Sequence, residues 1–315
     1  MKPKTVTAFA PATISNLGSG FDVLGLAIHK PGDIVVASRA GKRGLLFSVE
    51  SDNPDVPSSS KQNVASHVAQ LMIDELRPPF GIEMILKKKM PIGSGLGSSA
   101  ASSVASVVAV NGLLEKPLKK YDLLRFALEG ERKASGDVHA DNAAPSLLGG
   151  VCLVRSYDPL DVIQIPVRNS ISWIVVHPHL VVKTKHARKI LPANIPLKSG
   201  IRQWGNVSGL TLGLISGDAG LIGKCVEDVI AEPVRATLIP GFSSVKEAAL
   251  SAGAFGCSIS GSGPSVFAIA ESIDLAKKIS SSMVRTFRSK ANVECDVFIS
   301  RVNMEGARII RTESR

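Results

Sequence analysis

Aromatic side chains are scarce in this 315-residue chain: two Trp, two Tyr and ten Phe make up 4% of it. The core must therefore be aliphatic, and few rings are available to stack on nucleobases. Cysteine is scarce too. The four, at positions 152, 225, 257 and 295, form no Cys-x-x-Cys pair and stand beside no histidine cluster. That excludes a disulfide scaffold and argues against zinc or redox motifs. Long apolar runs are missing. The nearest, Ala100 to Leu114, is interrupted by Ser102, Ser103, Ser106, Asn111 and Gly112, short of the ~18 apolar residues that a membrane span needs. At the start, Met1-Lys2-Pro3-Lys4 leads into alternating Thr, Val and Ala rather than a signal-peptide core. These absences point to the reducing cytoplasm and to no membrane partner. Lys and Arg number 37 against 27 Asp and Glu, a net charge of +10, but the basic residues are dispersed. The densest run, Lys87-Lys88-Lys89, is followed directly by Met90-Pro91. A long nucleic-acid-binding arm is therefore excluded, and a nucleic acid is not the expected partner. A moderate positive balance suits an enzyme that handles anionic substrates.

What is present is enough apolar material for a sizeable core, 44% of residues with only 20% charged; the length suggests two domains. Strand-like runs fall near 5–10, 33–38, 45–50, 81–88, 151–156, 172–177, 265–270 and 295–301. Helical periodicity marks 64–76, with Asn63 placed to cap it, and 122–135, with Asp122 as cap and Gly136 as stop. Further helices are expected near 98–114, 201–216, 219–231, 243–252 and 274–288. Strands and helices are mixed without strict alternation, which favours α+β over a doubly wound sheet. The Pro/Asp segment Tyr157-Asp158-Pro159-Leu160-Asp161 marks a domain boundary, giving units 1–165 and 166–315. Residues 51–62 read as a polar loop.

The strongest local signal is Pro91-Ile92-Gly93-Ser94-Gly95-Leu96-Gly97-Ser98-Ser99-Ala100-Ala101. It follows a strand-like run and opens a helix of small residues. Glycines at every second position let the backbone approach a bulky anion, and the free N–H groups of the helix start can hold phosphate oxygens. Ser98 and Ser99 add hydroxyls for phosphate or magnesium. No Lys follows the last Gly, so this is not a Walker A loop, and the spacing is not the dinucleotide Gly-x-Gly-x-x-Gly. A glycine-rich turn that merely caps a buried helix is the alternative.

This string resembles the ATP loop of the GHMP kinases. Ala10 to Gly25, with Asn16, Gly18, Gly20 and Asp22, agrees with it. So does Gly256-Cys257-Ser258-Ile259-Ser260-Gly261-Ser262-Gly263-Pro264-Ser265, which is similar to the family's third motif. The N-terminal string and His139-Ala140-Asp141-Asn142 to Gly150 are similar to the homoserine kinase branch in particular. The resemblance implies an N-terminal ribosomal-S5-like domain that binds ATP and a C-terminal ferredoxin-like domain. It also implies magnesium as cofactor, and transfer of phosphate from ATP to the side-chain hydroxyl of L-homoserine in threonine biosynthesis. A homodimer is compatible with it. The other readings are a different small-molecule kinase of the family and a non-catalytic nucleotide- or nucleic-acid-binding protein.

Homoserine carries an ammonium, a carboxylate and a hydroxyl, so its site needs acceptors and a cation, ideally Arg. Asp22 and Asp141, helped by Asn16, Asn142 and His139, are the candidate acceptors, and the resemblance puts all five at the amino-acid site. Each has a structural alternative: turn residues for Asp22 and Asn16, a helix cap or Asx-turn for Asp141-Asn142, an internal hydrogen bond for His139. Arg188, four residues after Thr184 and so on the same side of a short helix, and Arg235, after Glu232-Pro233-Val234, suit the carboxylate; either could equally be a surface Arg. On the 122–135 helix, Glu131 shares the apolar face of Leu124, Ala127 and Leu128, whereas Glu129 lies off it. A carboxylate there must be paired, metal-bound or snorkelling. The resemblance gives Glu131 the magnesium role, with Ser98 as second ligand, and puts Asn63 at the adenine pocket, although a helix cap alone would account for Asn63. Gly261, Ser262 and Gly263 are expected near the phosphates, or else form a β-turn. No residue reads unambiguously as a general base.

Overall fold

The structure, a computed structural model, describes residues 3–168 and 170–314. Met1 and Lys2, part of the N-terminal string read above, lie outside the described residues, as do Asn169 and Arg315.

Along the chain come β1 (Thr5–Ser15), β2 (Leu24–Ala40), β3 (Leu45–Glu50), α1 (Val64–Leu76), β4 (Gly81–Lys87), α2 (Ser98–Leu113), α3 (Leu124–Ser135) and α4 (Ala140–Leu148). Then follow β5 (Val151–Tyr157), β6 (Leu160–Ile165), β7 (Ser172–Pro178), α5 (Thr184–Lys189), α6 (Leu197–Ser216), α7 (Ala219–Cys225) and α8 (Glu232–Arg235). The last elements are α9 (Phe242–Ser251), β8 (Cys257–Ile259), β9 (Val266–Ala270), α10 (Ile273–Ala291), β10 (Cys295–Ser300) and β11 (Arg308–Glu313).

The described strands form two sheets. The first has seven strands in the order β11-β1-β2-β4-β3, with β5 also on β2 and β6 on β5. All its pairs are antiparallel except β3 on β4, where Phe47 faces Met84. The second is the four-stranded antiparallel β10-β7-β9-β8. This mixed arrangement is the expected α+β class. Between α1, α3 and the first sheet runs α2, nearly all of whose residues are buried. Its Ala, Ser and Val side chains are small enough for neighbours to pack close on every side. The buried hydroxyl of Ser106 is satisfied by the Ala65 carbonyl at 2.7 Å.

The second sheet is covered on both faces, so β7 carries an unbroken apolar run rather than an alternating one. Trp173 and Val175 face the core shared with the first sheet, while Ile174 and Val176 face α9 and α10.

Four expectations need correction. Tyr157 to Asp161 is the tight turn between β5 and β6, which pair Tyr157 with Leu160, and not a boundary. The last residues do not stay with the second unit of the expected 165/166 division: Val302 bridges Ile28, and β11 returns to pair with β1, Thr7 against Arg311, so they belong to the first sheet. The helix expected over 219–231 stops at Cys225, because the Asp228 carboxylate takes the N–H groups of Ile230, Ala231 and Glu232 and turns the chain. Asp122 lies in a 3-10 turn ahead of α3 and makes no side-chain cap.

Candidate active site

A cleft of about 810 Å³ opens where the loop before α2, the β1–β2 turn, the ends of α3 and α4, α5, α8 and the β8–β9 turn converge. The glycine loop forms its floor. Gly93, Gly95 and Gly97 all take positive φ, of 61°, 75° and 67°, which glycine alone adopts without cost. At Gly95 a Cβ would collide with the carbonyl oxygens of Ser260 and Gly263, and at Gly97 with Thr13 and Asn142. This alternation turns successive N–H groups toward one side, and Gly97 caps α2, whose positive end points into the cleft. The loop is pinned from beneath: Thr13 N–H donates to Leu96 O (3.1 Å), Ser260 Oγ to Gly95 O (2.7 Å) and Ser265 N–H to Ser94 O (3.2 Å). Ile92, Gly93, Ser94, Gly95, Gly97, Ser98 and Ser99 line the cleft. Leu96, Ala100 and Ala101 are fully buried in the core instead, so they support the loop from behind. Pro91 is half-buried.

Asn63 lines the far end beside Gln62 and Val56. Its amide is already used: Oδ1 accepts from Ala65 N–H at 2.9 Å and Nδ2 donates to Pro57 O at 2.7 Å. The capping reading of Asn63 is therefore the one its side chain carries out, and it also ties the polar loop to α1.

Glu131 projects from α3 into the cleft at 4% exposure. Burial pushes its carboxyl up to about 7, against the opposing pull of a hydrogen bond from Ser99 and the charge of Lys88. Its Oε1 is one of the few buried side-chain atoms without a hydrogen-bond partner among the described residues, and His139 Nδ1 lies 3.7 Å from its Oε2. Asp141, in the first turn of α4, is alike: burial and the neighbouring charges of Asp22 and Glu131 push its carboxyl up to about 8, and Oδ1 has no partner. Two orphaned carboxylate oxygens aimed into one cleft are costly unless a ligand meets them.

Asn16 and Asp22 hold the β1–β2 turn in left-handed conformation, with φ of 68° and 58°. Asn16 Oδ1 accepts from the Asp22 N–H and its Nδ2 donates to Gly261 O, each at 3.0 Å. Asp22 is not a free acceptor as expected, because its carboxylate is ion-paired with Arg188 of α5. Arg235 is almost fully buried, with Nη1 donating to Gly261 O at 2.9 Å, and the Phe21 ring lies 4.8 Å from its guanidinium carbon. Neither arginine is thus a plain surface residue. Thr184 lies 3.4 Å from Ser262 across the cleft, Asn142 accepts from Thr13 Oγ1 at 2.8 Å, and burial holds His139 below its ordinary value. Gly261 and Ser262 line the cleft, whereas Gly263 sits behind Gly95.

Lys88 and Asp33 were not singled out by sequence. Lys88 Nζ reaches Asp33 Oδ2 and, at 2.9 Å each, Ser98 O and Ser102 Oγ, beneath the start of α2. Asp33 also takes the N–H groups of Lys89 and Met90. The basic run 87–89 was the only signal, and it gave no hint that the middle lysine turns inward.

Residues 63–150 match the GHMP kinases N terminal domain and 211–289 the GHMP kinases C terminal domain. A homoserine kinase of Chlorobaculum tepidum is 47% identical over 99% of this chain and all of its own length. This chain belongs to the GHMP kinase family. The crystal structure of homoserine kinase from Cytophaga hutchinsonii superposes on this GHMP kinase with a TM-score of 0.94, at 49% identity and 98% coverage of both chains. An L. major mevalonate kinase solved with R-mevalonate, 17% identical with a TM-score of 0.70, shares the fold alone. The two-domain α+β kinase fold accommodates different acceptors, so the acceptor must be read from the charged half of the cleft.

Proposed function

We propose that this GHMP kinase transfers the terminal phosphoryl group of ATP to the side-chain hydroxyl of L-homoserine, giving O-phospho-L-homoserine for threonine biosynthesis. The observation that carries the reading is a pocket lined by Asp22, Asp141 and Arg235, with Arg188 ion-paired to Asp22, set against a backbone phosphate cradle in one cleft. An α-amino acid needs both signs of charge at once; mevalonate and galactose carry no ammonium to meet Asp141. Arg188 and Arg235 bind the substrate carboxylate, and Asp141 with Asn16, Asn142 and His139 takes the ammonium. In the ligand-free cleft Asp22 is already paired with Arg188, so the amino acid exchanges that charge pair for its own.

The N–H groups of the loop 93–99 and the α2 dipole hold the phosphates. Glu131 and Ser98 fit magnesium: a buried Glu131 carboxylate oxygen without a partner and the Ser98 residue line the same cleft. Among the described residues no group of three His, Cys, Asp or Glu gathers into a metal cage, as suits a cation that takes its remaining ligands from water and phosphate. When bound, magnesium neutralises phosphate charge. Lys88 fixes the Ser98 carbonyl and hence the start of α2.

Among the residues described at the amino-acid end of the cleft, Glu131 at the place proposed for magnesium aside, no carboxylate stands ready as a base. Asp22 is paired with Arg188, Asp33 with Lys88, and Asp141 holds its proton near neutrality. Transfer through a loose transition state rests on positioning and charge stabilisation instead. The four free cysteines suit a reducing cytoplasm, and among the described residues no helix is long and apolar enough to cross a membrane. The test is ADP release with homoserine, mevalonate, galactose and shikimate as acceptors. Turnover with homoserine alone is expected; turnover with mevalonate and none with homoserine overturns the reading.

A further inference from the structure

Four successive carbonyls of the glycine loop are each taken by a donor from another part of the chain. Leu96 O accepts from Thr13 N–H in the first sheet. The other three donors come from segments attached to the second sheet: Val182 N–H to Gly93 O at 3.1 Å, Ser265 N–H to Ser94 O at 3.2 Å and Ser260 Oγ to Gly95 O at 2.7 Å. The peptide unit is planar, so a held carbonyl fixes the direction of the next residue's N–H. The bond to Ser94 O thus aims the Gly95 N–H, and the bond to Gly95 O aims the Leu96 N–H. The β8–β9 turn sets both.

That turn is a weak support by itself. Gly261 and Gly263 both take positive φ, 56° and 79°, and glycine restrains the backbone least. Its first half is tied from outside, where Asn16 Nδ2 and Arg235 Nη1 both donate to Gly261 O. Its second half ends at Ser265, whose hydroxyl lies 3.1 Å from His177 Nδ1. β7 pairs with β9 as far as Val176 opposite Val266, so His177 and Ser265 are the next cross-strand neighbours. The strand period of two puts His177 on the face of Trp173 and Val175, which packs on the first sheet. His177 is 3% exposed and Ser265 fully buried. Burial pushes the imidazole down to about 4, with His179 adding to the shift and Asp296 opposing it, so the ring is neutral at neutral pH. A neutral ring can share a proton with the hydroxyl in either direction. An apolar side chain in its place would strand a buried hydroxyl.

We infer that His177 is a positioning residue for the nucleotide: through Ser265 it fixes the Ser94 peptide, and so the Gly95 N–H, without lining the cleft itself. The inference rests on the reading that the loop 93–99 holds the phosphates of ATP. Calorimetric titration of the full chain with ATP and magnesium, beside steady-state kinetics, tests the two separately. The wild type should bind ATP. His177→Leu and Ser265→Ala should each weaken ATP binding and raise KM for ATP about five- to tenfold, the weight of one buried hydrogen bond. KM for homoserine should stay within about twofold of wild type. Both variants remove the same bond, so the double variant should bind no more weakly than the worse single one. His177→Asn, which puts an amide on Cγ where the ring carries Nδ1, should restore the affinity. Ile174→Ala, on the opposite face of β7, should lower the melting temperature and leave ATP affinity unchanged. Wild-type affinity in His177→Leu, additive losses in the double variant, or an equal loss in Ile174→Ala overturns the inference. A wild-type chain that binds no ATP overturns the reading of the loop as well.

Discussion

Glu131 and Glu129 stand two residues apart on α3 and meet opposite surroundings: one buried with an unpartnered oxygen, the other half-exposed and paired with Arg132. Glu131→Gln removes a charge at the place proposed for magnesium. It should lower kcat by at least about a hundredfold with the fold intact, whereas Glu129→Gln should stay within about twofold of wild type; steady-state rates against magnesium concentration measure both. Asp141 makes a pH prediction. Its carboxyl titrates at about 8 in the folded protein and near 4 when unfolded, so between those values the native state holds a proton that the unfolded chain has released. Stability of the ligand-free protein therefore falls as pH rises from about 4 to 8, and Asp141→Asn should flatten that slope in thermal melts. An ammonium instead favours the ionised form, so homoserine affinity should rise with pH, by up to about tenfold per unit below 8. Calorimetry in two buffers of different ionisation enthalpy would detect the released proton; a flat affinity profile would remove Asp141 from the ammonium site.

Two short helices, six and four residues long, carry the arginines. α5 has Thr184 and Arg188 one turn apart, and α8 exists because Asp228 ends the preceding helix and restarts the chain at Glu232. Their cations converge on the Phe21 ring, 5.6 and 4.8 Å from Arg188 and Arg235. A charge-assisted hydrogen bond contributes roughly 1.5–3 kcal/mol. Arg188→Ala or Arg235→Ala should therefore raise KM for homoserine by about ten- to a hundredfold and leave KM for ATP near normal. Arg→Lys should rescue poorly, since an ammonium lacks the planar two-donor fork. A rise in the ATP parameter alone would assign these residues to the phosphates. α5 was read as a short helix from the Thr184–Arg188 spacing alone and α8 only as a motif string, because elements this short show no usable period; α1 and α3 were legible from theirs.

At the scale of the whole molecule, the chain returns from the second sheet to lay β11 on the edge of the first. Every residue of β11 is exposed, yet Ile309 packs over Gly112 and the strand covers the outer edge of β1. Removing residues 308–315 should leave β1 as an open edge and lower the melting temperature by about 5 °C or more. It should spare nucleotide affinity, because the cleft lies on other elements. Thermal melts and calorimetry of the truncated chain check both. Lys88 belongs to this scale too: β2, β4 and α2 must assemble before Lys88 meets Asp33, 55 residues earlier, and Ser98.

The charged residues suited to an amino acid were gathered into one site by the family resemblance; what the sequence alone determined is local: a glycine loop between strand and helix, the face of α3 that carries Glu131 and an α+β order of elements. Each of these rests on spacing within a few residues, where backbone geometry ties sequence to position. Only the tertiary structure decided that Asp22 is held by Arg188, 166 residues away, that Arg235 is buried, that Asn63 spends its amide on its own loop, and that Asp141 and Glu131 keep unpartnered oxygens in one cleft. Those outcomes depend on which distant segments the two sheets bring together and on how much water is expelled between them, and neither quantity is encoded in any short stretch of chain.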